Sequence, residues 1–141
     1  MGKRRALGLL LCLLLLLCTA CGGRTQNDTG DLHCTVTIEC GTVLAHMDDL
    51  SPGKAEIVPA DGVLLPETEV AFSEGDTVFD VLQRVCRAQG IHMESNWTPA
   101  YNSAYIEGIG NLYEFDCGSL SGWMYSVNGV WPDYGCSSCT L

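Results

Sequence analysis

The 141-residue sequence carries 17 acidic against 7 basic side chains, a formal charge of −10, with 47% hydrophobic residues and nine cysteines. This length holds one domain and hardly two once an export signal is set aside. So acidic a balance argues against phosphate-neutralising nucleic-acid binding and against charge-driven adhesion to anionic lipid.

Lys3, Arg4 and Arg5 precede an almost unbroken apolar run from Ala6 to Leu17. A run this short fits the h-region of a signal peptide, since a membrane span needs about 20 apolar residues. It closes on Leu17-Cys18-Thr19-Ala20-Cys21-Gly22-Gly23, which resembles a bacterial lipobox with Cys18 where an aliphatic residue is usual. The resemblance implies a lipoprotein signal peptide over residues 1–20 and lipidation of Cys21. The chain is then extracytoplasmic, held at the cell membrane by a lipid anchor. An ordinary secretory signal cut near the same place, with Cys21 left as a thiol, is the alternative. The exported part keeps four basic against seventeen acidic residues, a charge of −13. Its first stretch, Gly22 to Asp31, is polar, contains glycine and lacks an apolar period. It belongs to a flexible tether over residues 21–33, and the folded domain is expected over 34–141.

Cys34, Val36, Ile38 and Cys40 alternate with Thr35, Thr37 and Glu39, the pattern of a half-buried strand with both cysteines towards the core. These two cysteines cannot bond to each other, because six residues of extended chain span about 20 Å. Val43 to Leu50 fits a short helix, Ser51-Pro52-Gly53 a turn, and Ile57 to Pro66 short extended pieces. Glu67 to Phe72 reads as a strand. A helix follows, with Thr77 as its cap and Asp80 completing a capping box. Val78, Val81, Leu82 and Val85 form its buried stripe, Cys86 lies beside that stripe, and Gly90 ends the helix. Trp97 to Asn102 reads as a loop, and Ala104 to Ile106 and Leu112 to Phe115 as strand pieces. Asn128-Gly129 between β-formers predicts a hairpin with arms from Trp123 to Val127 and from Val130 onward. The class is α+β.

Setting aside Cys12, Cys18 and Cys21 leaves Cys34, Cys40, Cys86, Cys117, Cys136 and Cys139. An even number in an exported chain points to disulfides, whose pairing the sequence does not choose. Cys136-Ser-Ser-Cys139 lacks the following helix that lowers the thiol pKa in thioredoxin-type enzymes, so a structural role is expected there. No second pair stands at zinc-ligand spacing, and His33, His46 and His92 form no ligand motif. Gly118-Ser-Leu-Ser-Gly122 places Leu120 where a nucleophile elbow needs serine. Asp48-Asp49 and Glu74-Gly-Asp76 read as solvated turns. These residues offer no enzyme active site.

Val78-Phe-Asp-Val-Leu82, Tyr105-Ile-Glu-Gly-Ile109 and above all Gly122-Trp-Met-Tyr-Ser-Val-Asn-Gly129 resemble the transcobalamin C-terminal-like domain, an exported bacterial module of unknown function. The resemblance covers residues 34–141. It implies a small mixed or antiparallel sheet packed on one helix, similar to a β-grasp. Relatives continue past the equivalent of Leu141 with a Gly-Asp turn and a further strand, so the domain is expected to lack its last strand and to expose a sheet edge. Cys139 also stands where relatives carry an aromatic residue.

The family name implies a corrinoid ligand. In the animal cobalamin carriers the similar domain closes over a corrinoid held against a helical barrel. Here the domain supplies half of such a site, completed by a second binding domain or a transporter's substrate-binding subunit. A flat apolar macrocycle suits aromatic shelves. Trp123, Tyr125, Trp131 and Tyr134 in the hairpin are the candidates, with Trp97 and Tyr101; packing in the core is the competing role. The expected function is a non-catalytic ligand-binding module at the cell surface. A protein- or glycan-interaction domain without a small-molecule ligand is the alternative.

Overall fold

The computed structural model describes residues 32–141; the signal peptide, Cys21 and most of the tether lie outside the described residues. Strand β1 (Leu32–Glu39) pairs antiparallel with β2 (Val63–Phe72), setting Cys34 opposite Val70 and Val36 opposite Thr68. The alternation holds: Ile38 and Cys40 are buried while Thr35, Thr37 and Glu39 face out. Strand β2 runs further than residues 67–72. Its register slips between the partners of Val36 and Ile38, where Pro66 has no N–H to give the ladder.

The expected helix over 43–50 is instead a pair of 3-10 turns, Gly41–Ala45 and Met47–Asp49, and neither has a side-chain cap. So short a run cannot offset the cost of nucleating an α-helix. At the return, Gly62 has φ +72° and a Cβ there would stand 2.5 Å from Gly41 Cα. That close approach lets the Cys40 N–H donate to the Gly62 carbonyl at 2.7 Å.

Helix α1 (Val78–Gln89) begins with the full capping box and ends at Gly90, which has φ 67°. Val81, Val85 and Cys86 are buried among Ile38, Leu65, Val70 and Ile109, with Leu82 packed alongside. Burying a Val, Leu or Ile side chain contributes about 1.5–3 kcal/mol, so this cluster dominates the fold's stability. A smaller cluster joins Cys40, Val43 and Leu112; Leu64 and Trp123 touch both.

A second antiparallel sheet follows: β3 (Met93–Thr98), β4 (Ser103–Ile109) and β5 (Leu112–Tyr113). Trp97 and Thr98 belong to β3, paired with Ala104 and Ser103, so the expected loop shrinks to residues 99–102. The β4–β5 turn is Gly110-Asn111, both at positive φ as a two-residue hairpin requires. The α+β content stands, but the strands form two small antiparallel sheets rather than one β-grasp-like sheet. The turn of the C-terminal hairpin forms, with Asn128 at φ 51° and Gly129 at φ 80°, but among the described residues its arms make a single bridge, Val127 to Val130.

The six described cysteines are free thiols, so the disulfide-bearing expectation finds no bond to rest on. The thiols are lodged separately: Cys34 against the Val70 carbonyl, Cys117 against the His46 carbonyl, and Cys86 in the main core. Cys136 opens a one-turn 3-10 segment, Cys136–Ser138, and Cys139 closes it. Beyond it the chain clasps the start of α1. Val78 N–H donates to the Cys139 carbonyl and Leu141 N–H to the Asp76 carbonyl, both at 2.9 Å.

Candidate functional site

The hairpin is tied down through its alternate residues. Trp123 is half-buried, and its Nε1–H donates to the Leu112 carbonyl at 2.9 Å. Tyr125 donates its hydroxyl to the Tyr134 carbonyl at 2.9 Å. Burial and the neighbouring Cys139 push the Tyr125 hydroxyl well above its ordinary pKa, so it stays a donor. These two rings fix the first arm to the body. The return arm is fixed at Gly135, where an added Cβ would fall 1.7 Å from Ser103 Oγ. Ser137 Oγ accepts the Ala104 N–H at 2.8 Å, completing the seam with β4.

The other candidate aromatics point outward. Trp131 is 63% exposed, Tyr134 52%, Trp97 53% and Tyr101 81%. Because Gly135 lies on Ser103, the return arm meets β4 beside the end of β3, which carries Trp97, and the β3–β4 turn, which carries Tyr101. The six candidates therefore divide: Trp123 and Tyr125 anchor the hairpin, and the remaining four stand on two neighbouring exposed segments. Tyr134 also directs its hydroxyl at Cys139 Sγ, and that hydrogen bond raises its pKa.

Composition singled out the aromatics and passed over the exposed aliphatic side chains between them. Leu120 is almost fully exposed, and Met124 and Val130 project freely. The signal for Met124 was present in the alternation that puts it opposite Trp123 and Tyr125. A polar cluster lies on the outer face of the second sheet. Lys54 pairs with Asp116 at 3.0 Å, and its Nζ stands 4.8 Å from the Tyr113 ring centre. Tyr113 meets His92 Nε2, which also reaches Glu94. Tyr105 gives its hydroxyl proton to Glu114 in a short bond.

Among the described residues, α1 borders two surface hollows. A groove of about 350 Å³ is lined by Asp76, Asp80, Gln83, Arg84, Arg87 and Ala88. A smaller one of about 160 Å³ lies between Cys86, Ile91 and Met93. Neither includes a hairpin aromatic. Among the described residues no group of three or more His, Cys, Asp or Glu is placed to hold a metal ion. Among the same residues no helix is long and apolar enough to cross a membrane.

Residues 75–141 match the model of a family described as a domain of unknown function, DUF4430. The match takes in α1, the second sheet and the hairpin, and leaves β1 and β2 outside. No curated protein and no solved structure matches the chain.

Proposed function

We propose that the folded part is a non-catalytic binding module of a cell-surface lipoprotein, and that its contact face is the exposed side of the C-terminal hairpin. The observation that carries this reading is the exposure of four large side chains, Met124, Val130, Trp131 and Tyr134, along a hairpin anchored by Trp123 and Tyr125. Monomer surfaces seldom keep such apolar groups together unless something covers them. An open face with the two hollows elsewhere suits a protein partner better than an enclosed small molecule.

A photo-reactive residue at position 131 of the exported chain tests this. It should cross-link to another exported protein, whereas the same residue at the exposed Glu67 on β2 should not. Equal labelling at both positions would remove the hairpin from any interface.

A second reading keeps the corrinoid. It draws on the family match, associated with transcobalamin-like domains, and on outward-facing Trp131, Tyr134, Trp97 and Tyr101 as one wall of a composite site. Saturable heat on titration with cyanocobalamin, lost in Trp131→Ala, supports it; no heat from the folded protein rejects a self-sufficient corrinoid site. The anchor is tested separately. Palmitate should label the wild-type chain and not Cys21→Ala, and equal labelling would rule the anchor out.

A further inference from the structure

Gly122 to Ser126 has the alternating exposure of a strand and no ladder. Exposure alternates along it: Trp123 and Tyr125 are half-buried, and Gly122, Met124 and Ser126 face out. The two inward rings are hydrogen-bonded beneath, and the turn beyond is closed by reciprocal bonds between Val127 and Val130 at 2.9 and 3.0 Å. Among the described residues, no backbone amide or carbonyl of Gly122–Ser126 makes a hydrogen bond to another backbone group. A strand held in place with an open row of donors and acceptors is a template for another strand. Edges that must stay free are blunted by lysine, proline or charge. Leu120 to Trp131 contains no charged residue and no proline.

Charge decides between a second copy and a different protein. The described residues hold fifteen carboxylates against Lys54, Arg84 and Arg87, and two of those cations are already paired with Asp116 and Asp76. Edge-to-edge pairing of two copies would bring like-charged bodies within a screening length of about 8 Å. Carboxylates also flank the open segment. A Cβ on Gly122 would lie 3.8 Å from the Tyr105 hydroxyl, which is bonded to Glu114, and Asp133 is exposed on the return arm.

We infer that Gly122–Ser126 accepts a β-strand in trans from a partner protein, an extended segment with basic residues at its ends and an uncharged, β-branched middle. This rests on the hairpin being the contact face and adds how it binds: main-chain hydrogen bonds give the hold, and the flanking carboxylates select the sign of the partner.

The test uses the exported chain and two synthetic peptides of alternating valine and threonine flanked by lysines. One is unmodified; the other carries N-methyl groups at alternate residues, which removes the donors of one edge and keeps charge and apolar surface. The unmodified peptide should bind, slow amide exchange at residues 122–126, and weaken with added salt. N-methylation should cost at least about tenfold in affinity, the scale of a main-chain bond or two. Equal binding of the two peptides, protection confined to other residues, or no binding of the unmodified peptide overturns strand addition. If position 131 still cross-links to a partner in any of those cases, the hairpin remains the contact face and only the strand mode falls.

Discussion

The indole of Trp123 touches both core clusters and gives its N–H to the Leu112 carbonyl, so truncating it opens a cavity and orphans an acceptor. Trp123→Ala should cost about 3 kcal/mol, the low end for a tryptophan because the ring is only half-buried. Trp131, on the other arm and 63% exposed, should cost no more than about 0.5 kcal/mol on the same change. Urea denaturation of the two variants measures both, and comparable losses would mean that Trp131 is core. Gly135→Ala is the third case: its Cβ would stand 1.7 Å from Ser103 Oγ and 2.8 Å from Ser103 Cβ, so the return arm must move off β4. It should destabilise by about 2 kcal/mol or more. Residue type alone did not separate Trp123 from Trp131. Alternation placed Trp123 with Tyr125 on one face, but the partner that makes Trp123 structural is a carbonyl eleven positions back, which no local pattern reveals.

Helix α1 was legible because everything it needs is local: Thr77 and Asp80 close the capping box, the stripe repeats at helical spacing, and Gly90 supplies the left-handed end. Thr77→Ala should therefore cost about 1 kcal/mol, read from the thermal midpoint at constant pH. Strand β3 leaves no such local signal, for the opposite reason. Met93-Glu-Ser-Asn-Trp-Thr98 has no clean apolar alternation, and its extended form comes from six residues of β4 laid beside it. The hairpin falls between these cases. Asn128-Gly129 dictates the turn from within, but a ladder needs a partner along each arm, and turn chemistry cannot supply one. The 3-10 turns after β1 teach the same lesson in reverse, since a short apolar run without a cap lacked the length to become a helix.

Acid and alkali should weaken the whole molecule through different groups. Burial pushes the thiols of Cys34, Cys40, Cys86 and Cys136 above the ordinary value of 9.0. Above that value the unfolded chain loses these protons first, so their stabilisation is complete below it and is lost as pH rises through the folded pKa values. On the acid side, burial pushes Asp116 up, but the Tyr113 N–H and Lys54 outweigh it and hold it below the usual carboxylate range. The Ser73 N–H and Arg84 hold Asp76 low likewise. Their contribution is present above the unfolded carboxylate pKa of about 3.9 and is lost as pH falls through the lower folded values. Under reducing conditions the urea midpoint should fall on both flanks, and Cys86→Ala should make the alkaline fall shallower by that thiol's share and leave the slope of the acid one unchanged. The separation into two sheets escaped the sequence because it depends on strands that do not meet. The two share one core, in which Ile109 of β4 packs among Ile38, Leu65 and Val70, and a further tie is the clasp of residues 139–141 on the start of α1. By holding together points some sixty residues apart in the chain, it closes a loop whose ordering costs about 4 kcal/mol of entropy. Such a closure opens as a unit or not at all. The amides of Val78 and Leu141 should therefore exchange with solvent at one common rate, and faster than the amides of β1 and β2 that the shared core protects.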